Sequence, residues 1–463
     1  MHSGPEKDNR KLQYIRFLHL SDFHYPDIDF QYGVSVDGNN GYHSPQISIL
    51  DEIYKVIEDV DFILISGDFT NNSNLNAFND CLSFIDRKFS SHNIKIYSVL
   101  GNHDLERGYG GKKFDNFLKK AQNYYPKIEF CQNEVCEQKE LISSKSSKPR
   151  FDLLLINTCK HSSDQPIIPE KLKKCVETSI RYHLNFNDID KENMEEADVE
   201  EEVQYIWNMI KLEIEESTLI DGIYFDDDDY IKLKKEINLL ESFICLSHYN
   251  LVSFSGNDKL SSFFSDQGIF RDILVNHKNT VIYLNGHTHT QECTVIENPE
   301  DCTNKVVCIT SPPLFKIKSS RLNGFNVVDI VLRNNADGVY KPIGCKLKQI
   351  GSSLKESIAK CKKIRFSKNI TDVSFSKNES DVIKALKSPA FKTGEVRLKN
   401  LMNFLNSNRQ ESEIIHVDEV HEILMYLWWI GVIDEYSAMK RQNEFEAKLI
   451  DYVRGVLCVP LNH

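Results

Sequence analysis

No run of this 463-residue chain approaches 18 consecutive apolar residues, which excludes an ordinary membrane-spanning helix. The first residues, MHSGPEKDNRKLQ, lack the apolar core of a secretory signal, so a cytoplasmic location and no membrane partner are expected. No C-x-x-C occurs among twelve cysteines scattered from Cys81 to Cys458; the closest pairs are Cys131/Cys136 and Cys302/Cys308. That argues against a zinc ribbon or a disulfide framework and for buried thiols. Hydrophobic residues make up 41% and charged residues 27%, ordinary globular proportions that exclude wholesale disorder and fibrous repeats.

Charge is spread unevenly. The formal net charge is −12, yet Asp188 to Asp229 holds seventeen acids against two lysines, ending in the run Asp226–Asp229. Lys341 to Arg409 holds sixteen Lys/Arg against five acids, a local +11, and the last segment, Gln410 to His463, returns to −6. Phosphate binding depends on local positive charge, so the basic stretch keeps nucleic acid among the possible partners. A solvated linker and helix surface is the plainer reading of the same charges.

The pattern of elements is that of a layered α/β protein. IRFLHL, FILIS and IKIYSV are short apolar strands, separated by the helical stretches SPQISILDEIYKVIEDV and LNAFNDCLSFIDRKF. The β-α-β-α-β order implies parallel strands. Further strands are expected at RFDLLLINT, FICLSHYN, VIYLNGHTH and KVVCITS, with a closing hairpin from GFNVVDIVL to VYKPIGCKL. The eighty residues between Arg150's strand and the next are too many for an ordinary connection. They predict an acidic helical insertion over 160–240. The catalytic domain is expected over 1–350, and 351–463 is expected to form an accessory domain behind a basic linker. In that domain VDEVHEILMYLWWIGVIDEY places Val420, Ile423, Leu424 and Leu427 on one helix face and suggests a winged-helix outline. Trp428 and Trp429 read as packing residues.

Five small clusters stand at the ends of predicted strands: Asp22-x-His24, Gly67-Asp68, Gly101-Asn102-His103-Asp104, His248, and Gly286-His287-Thr288-His289. Residues i and i+2 leaving a strand point the same way, so Asp22 with His24, and His287 with His289, can each chelate one ion. Imidazole and carboxylate donors without thiolate suit zinc, manganese or iron. About seven donors exceed the need of one ion and fit two ions sharing a carboxylate, with Asp68 the natural bridge. Such a pair lowers the pKa of a bridging water, so that hydroxide attacks phosphorus near neutral pH, and offsets charge on the phosphoryl oxygens.

This ordered set resembles the calcineurin-like metallophosphoesterase superfamily over about residues 15–335, outside the acidic insertion. The resemblance implies a four-layer αββα sandwich holding two divalent ions, manganese first, with zinc, iron or nickel as alternatives. One ion would be held by Asp22, His24, Asp68 and His289, the other by Asp68, Asn102, His248 and His287. His103 would contact the phosphate and help to protonate the leaving group, with Asp104 orienting it. The chain lacks the G-D-x-x-D-R-G and G-N-H-E motifs of Ser/Thr protein phosphatases, and Asn71 stands where purple acid phosphatases carry a metal-binding tyrosine. What remains is similar to the phosphodiesterase and nuclease branches. The expected activity is therefore hydrolysis of phosphodiesters in nucleic acid or nucleotides. A phosphomonoesterase and a non-catalytic scaffold are the alternatives, the latter disfavoured because no donor is degraded. The C-terminal region is expected to bind nucleic acid, a partner protein or a second copy of the chain.

Overall fold

The structure, a computed structural model, describes residues 12–25, 45–71, 74–89, 92–105, 118, 121–132, 135–141, 151–159, 205, 225–240, 242–252, 267–298, 305–315, 323–334, 340–352, 357–366, 375–391, 395–407, 409–410, 413–430, 435–437 and 456–458. Among these, no helix is long and apolar enough to cross a membrane.

Short runs of apolar residues set up two sheets whose inner strands are buried on both faces. The first sheet is built on β1 (Leu12–Leu20), β2 (Phe62–Ile65), β3 (Lys95–Ser98) and β4 (Ile128–Phe130), mutually parallel. The second contains β5 (Cys136–Leu141), β6 (Phe151–Ile156), β7 (Phe243–Leu246), β8 (Val281–Asn285), β9 (Cys293–Glu297) and β10 (Lys305–Thr310), in the order β5-β6-β7-β8-β10-β9. Alternation divides each strand between two cores. Phe62 and Leu64 join Leu153, Ile244 and Ile282 between the sheets, whereas Ile63 and Ile65 face the helical side. Phe17 stacks on Phe62 with ring centroids 5.3 Å apart.

Helices α1 (Pro45–Tyr54) and α2 (Leu75–Phe89) supply Ile49, Ile53, Phe78 and Leu82 to the helical side. Helices α3 (Asp227–Leu239) and α4 (Gln267–Val275) cover the second sheet, with Phe270 edge-on to Tyr283 of β8. The result is a layered α/β arrangement, two packed sheets with helices on their outer sides. The acidic run at 226–229 is a helix start: Asp226 caps α3 by accepting from the Asp229 amide at 2.8 Å, and the other carboxylates fill the first turn. Tyr230, Leu233 and Ile237 of α3 are buried in the main core. The insertion expected over 160–240 therefore ends before Phe225; its remainder, apart from Tyr205, lies outside the described residues.

The boundary expected near 350 also moves. Strand β11 (Asn323–Asn334) pairs antiparallel with β1 and with β12 (Tyr340–Ser352), the closing hairpin anticipated from the sequence. Pairing continues into β13 (Ser357–Arg365), which makes the sheet order β13-β12-β11-β1-β2-β3-β4, and Phe366 enters the core between the sheets. The basic "linker" is in part an edge strand: its backbone pairs with β12, and Ile364 and Phe366, two residues apart on one face, pack into the core between the sheets.

The C-terminal region contains α5 (Lys377–Leu386), α6 (Leu398–Asn406), α7 (Val417–Trp429) and a small sheet of β14 (Glu395–Arg397), β15 (Glu435–Ser437) and β16 (Val456–Cys458), ordered β14-β16-β15. Its core, with Leu401, Leu424 and Trp429, incorporates Val331 and Ile343 of the first sheet. Glu379 closes a capping box with Ser376 at the start of α5 and also pairs with Arg333 of β11, both residues being buried. The region expected to be separate is docked on the sheet.

Candidate active site

All five sequence clusters sit just beyond the carboxyl ends of β1, β2, β3, β7 and β8, where loops from both sheets meet. Backbone hydrogen bonds lash these loops together: the Asp22 amide donates to the Gly67 carbonyl, the His24 amide to Asp68, and the Gly286 amide to His248, each at 3.0 Å. Strand alternation is not what aims the donors. Asp22, His24, Asp68, His287 and His289 have φ between 49° and 67°, the left-handed region, so the chain leaves each strand in tight turns. Asp and His tolerate that region better than most residues, yet each turn costs roughly 1–3 kcal/mol that the surrounding packing must offset. Gly67, at φ 97°, is required: a Cβ there would lie 2.6 Å from the Gly101 amide nitrogen and 2.9 Å from His248 Nδ1. At Gly101 the Asp68 carboxylate already occupies the place of a Cβ.

The seven donors converge in two groups that share Asp68. Donor atoms of Asp22, His24, Asp68 and His289 lie within 4.8 Å of one another, as do those of Asp68, His248 and His287. Asn102 Oδ1 completes the second group, 2.9 Å from His248 Nε2 and 3.2 Å from His287 Nδ1. His24 Nε2 and His289 Nε2 approach to 2.9 Å, and His289 Nε2 stands 3.1 Å from Asp22 Oδ1.

Burial governs the electrostatics. It pushes the Asp68 carboxyl up to about 7, opposed by His103 and reinforced by Asp22. At Asp22 burial acts upward too, but His289, with His248 and His24, holds this carboxyl well below the usual range. Burial drives His248 and His287 down, so both imidazoles are neutral lone-pair donors.

These groups fit divalent cations on their own chemistry. His248 Nδ1 donates to the Ser66 carbonyl at 2.7 Å, which fixes the tautomer and leaves Nε2 an acceptor facing the acceptor Asn102 Oδ1. Two lone pairs facing each other in a buried site repel, and a cation between them relieves both. Asp68 Oδ2 is buried without a hydrogen bond, the state of a carboxylate oxygen kept for an ion.

His103 stands beside both groups, its ring edge-on to His24 with centroids 5.1 Å apart. Its Nδ1 donates to the Asn71 carbonyl at 2.8 Å. Asp104 does not orient that ring. Its carboxylate accepts from the Thr70 amide at 2.8 Å and the Gly101 amide at 2.9 Å, clamping the G-N-H-D loop to the G-D loop. Burial, with Asp68 nearby, raises Asp104 to about 7. The orienting group is thus a backbone carbonyl, which no side-chain motif can announce.

A family model described as calcineurin-like phosphoesterase matches residues 15–291. The chain belongs to that family. Among solved structures, this calcineurin-like phosphoesterase is similar to the 5'-nucleotidase precursor from Thermus thermophilus, at 12% identity and a TM-score of 0.33 over 76% of this chain and 54% of that one. It is also similar to the 5'-nucleotidase from Candida albicans, at 10% identity and a TM-score of 0.28 over 70% of this chain and 52% of that one. The chain thus spans about half the length of each. No curated protein matches it.

Three supporting residues escape the motifs. Thr70 donates through Oγ1 to the His103 carbonyl at 2.9 Å. Ser66 fixes His248 through its carbonyl. Tyr249, wholly buried, lays its ring on His287 with centroids 4.3 Å apart. Each lies within two residues of a motif residue in sequence, but nothing in its identity marks its role.

Proposed function

We propose that this phosphoesterase is a two-metal phosphodiesterase acting on nucleotides or nucleic acid, with manganese the first metal to test. The observation that carries the reading is the pair of donor groups sharing Asp68, in which His248 Nε2 and Asn102 Oδ1 face each other as acceptors. Asp22, His24, Asp68 and His289 would hold one ion, and Asp68, Asn102, His248 and His287 the other. Bound there, two divalent ions supply a nucleophile active near neutral pH and offset charge on the phosphoryl oxygens. His103, whose Nδ1–H is engaged by the Asn71 carbonyl, would in its doubly protonated form give the Nε2 proton to the leaving oxygen as the ester bond breaks, returning to the neutral ring that keeps Nδ1–H. The loop clamp of Asp104 and Thr70 keeps that ring in register with the donors. A diester is favoured by the cations on β12 and β13, which suit a substrate extending past the scissile phosphate.

The test compares bis(p-nitrophenyl) phosphate with p-nitrophenyl phosphate in manganese, using wild type and Asp68→Asn. The expected result is faster turnover of the diester. Asp68→Asn should lower kcat by about 10³ or more and leave at most one bound ion in place of two, read by elemental analysis. Faster monoester turnover would overturn the diesterase reading. Full activity in Asp68→Asn would overturn the shared-carboxylate site.

A further inference from the structure

We propose that Gln291 is a positioning residue of the metal site: its side-chain amide tethers the G-H-x-H loop to the closing hairpin of the first sheet, and so holds one imidazole at each ion. The inference rests on the two-ion reading above and adds to it a residue outside the donor set. Gln291 follows His289 by two residues and His287 by four, on the stretch that leads into β9 of the second sheet. Its Nε2 reaches across to the first sheet, donating to the Phe325 carbonyl of β11 and the Ile350 carbonyl of β12, each at 3.2 Å. Asn326 Oδ1 stands 3.4 Å from the same nitrogen. Phe325 and Ile350 are opposite one another in the β11–β12 register, so a single amide clips both strands of the hairpin. An amide drawn out of water is unfavourable unless new hydrogen bonds replace the lost ones. A methionine of like length would fill the place without that demand, so the polar end is accounted for by what it holds.

The loop needs holding because it is strained. His287 and His289 have φ of 67° and 55°. Such conformations persist only where surrounding contacts over-determine them. At the entry to the loop, the Gly286 amide donates to the His248 carbonyl at 3.0 Å and the His287 amide to Asp22 Oδ2 at 3.2 Å. At the exit, the Thr310 amide donates to the Glu292 carbonyl at 3.0 Å, a bond that ties the loop to its own sheet. Gln291 supplies the fixed point on the other sheet, whose β1 and β2 lead into Asp22, His24 and Asp68. His289 Nε2 lies 3.1 Å from Asp22 Oδ1 and 2.9 Å from His24 Nε2, distances set from one sheet to the other. His287 serves the second group, its Nδ1 3.2 Å from Asn102 Oδ1. Release of the tether lets the exit of the loop relax toward ordinary backbone and withdraws an imidazole from each group. The plainer role of Gln291 is to add to the hold of one sheet on the other, which would leave ion affinity as untouched as the loss of a remote buried amide does.

The experiment titrates manganese into the metal-free full chain by calorimetry, for wild type, Gln291→Met, Gln291→Asn and Asn298→Leu. Gln291→Met keeps the length and removes the donor. It should bind both ions about tenfold or more weakly, as loss of a group that orients metal ligands does. Gln291→Asn, one methylene short of the carbonyls, should weaken both ions in the same direction and keeps the test open should the methionine variant not fold. Asn298→Leu removes a buried amide just past the opposite end of β9, bonded to the Val275 carbonyl and to Asn276, and should bind both ions as wild type does. Wild-type affinity for both ions in the two Gln291 variants would overturn the tether. So would weakening of one ion alone, since His287 and His289 serve different ions, or an equal weakening in Asn298→Leu, the mark of a general loss of stability. A wild type that takes up fewer than two ions sinks the two-ion reading itself. Two ions in wild type with unaltered Gln291 variants sink this inference alone.

Discussion

At the scale of single residues, the positions of protons decide most of the chemistry. With Nδ1 tied to Asn71, His103 is set to act through its other nitrogen. His103→Asn should lower kcat by about 10²–10⁴ on an ester with a poor alcohol leaving group, and far less on a nitrophenyl ester, which departs unaided. Metal content should stay at the wild-type level, because His103 is outside both donor groups. A comparison of the two leaving groups checks this. His19 illustrates a histidine with a structural task. Fully buried, with Nε2 3.0 Å from Ser66 Oγ, it is held down to about 3 by burial, against the opposing pull of Asp22. A depressed folded-state pKa contributes stability that is complete above the unfolded value near 6.5 and is lost as pH falls toward 3. Urea unfolding at pH 7 and pH 5 should therefore show wild type losing about 2 kcal/mol more than His19→Gln over that interval.

At the scale of elements, the site depends on turns that almost no other sequence could make. The loops after β1, β2 and β8 pass through left-handed backbone at five donor residues and at Gly67. Gly67→Ala places a methyl group against the Gly101 amide and His248 Nδ1 in a conformation that L-residues avoid. It should cost about 2–4 kcal/mol and abolish binding of the ion held by His248, read together by thermal unfolding and elemental analysis. Wild-type stability with full metal content would show that the loops yield more easily than their packing indicates. The glycines were visible in the motifs, but the reason for them was not. In the folded chain they make room for carboxylates and imidazoles arriving from other loops.

For the whole molecule, the C-terminal helices and the catalytic sandwich share buried contacts rather than a tether. Arg333 pairs with Glu379 and lies over the Tyr426 ring, 3.3 Å from its centroid. Removing one partner of a buried pair strands the other, at about 3–5 kcal/mol. Glu379→Ala should therefore expose the C-terminal helices to limited proteolysis while hydrolysis of a small diester continues, since the donors lie across the sheet. Unchanged protease resistance would show that the apolar contacts of Val331 and Ile343 suffice.

The spaced clusters at strand ends, the parallel β-α-β-α-β opening and the closing hairpin were legible from residue order, because burial on both faces and metal-donor chemistry leave local signatures. The seven donors could be named from their motifs for the same reason. Other features came only with the folded chain: the strand that turned a basic linker into a sheet edge, the helix that claimed the end of an acidic insertion, and the carbonyl that orients His103 in place of Asp104. Each depends on a partner far away in the chain, and pairings across such distances are set by packing and register, on which local residue pattern is silent.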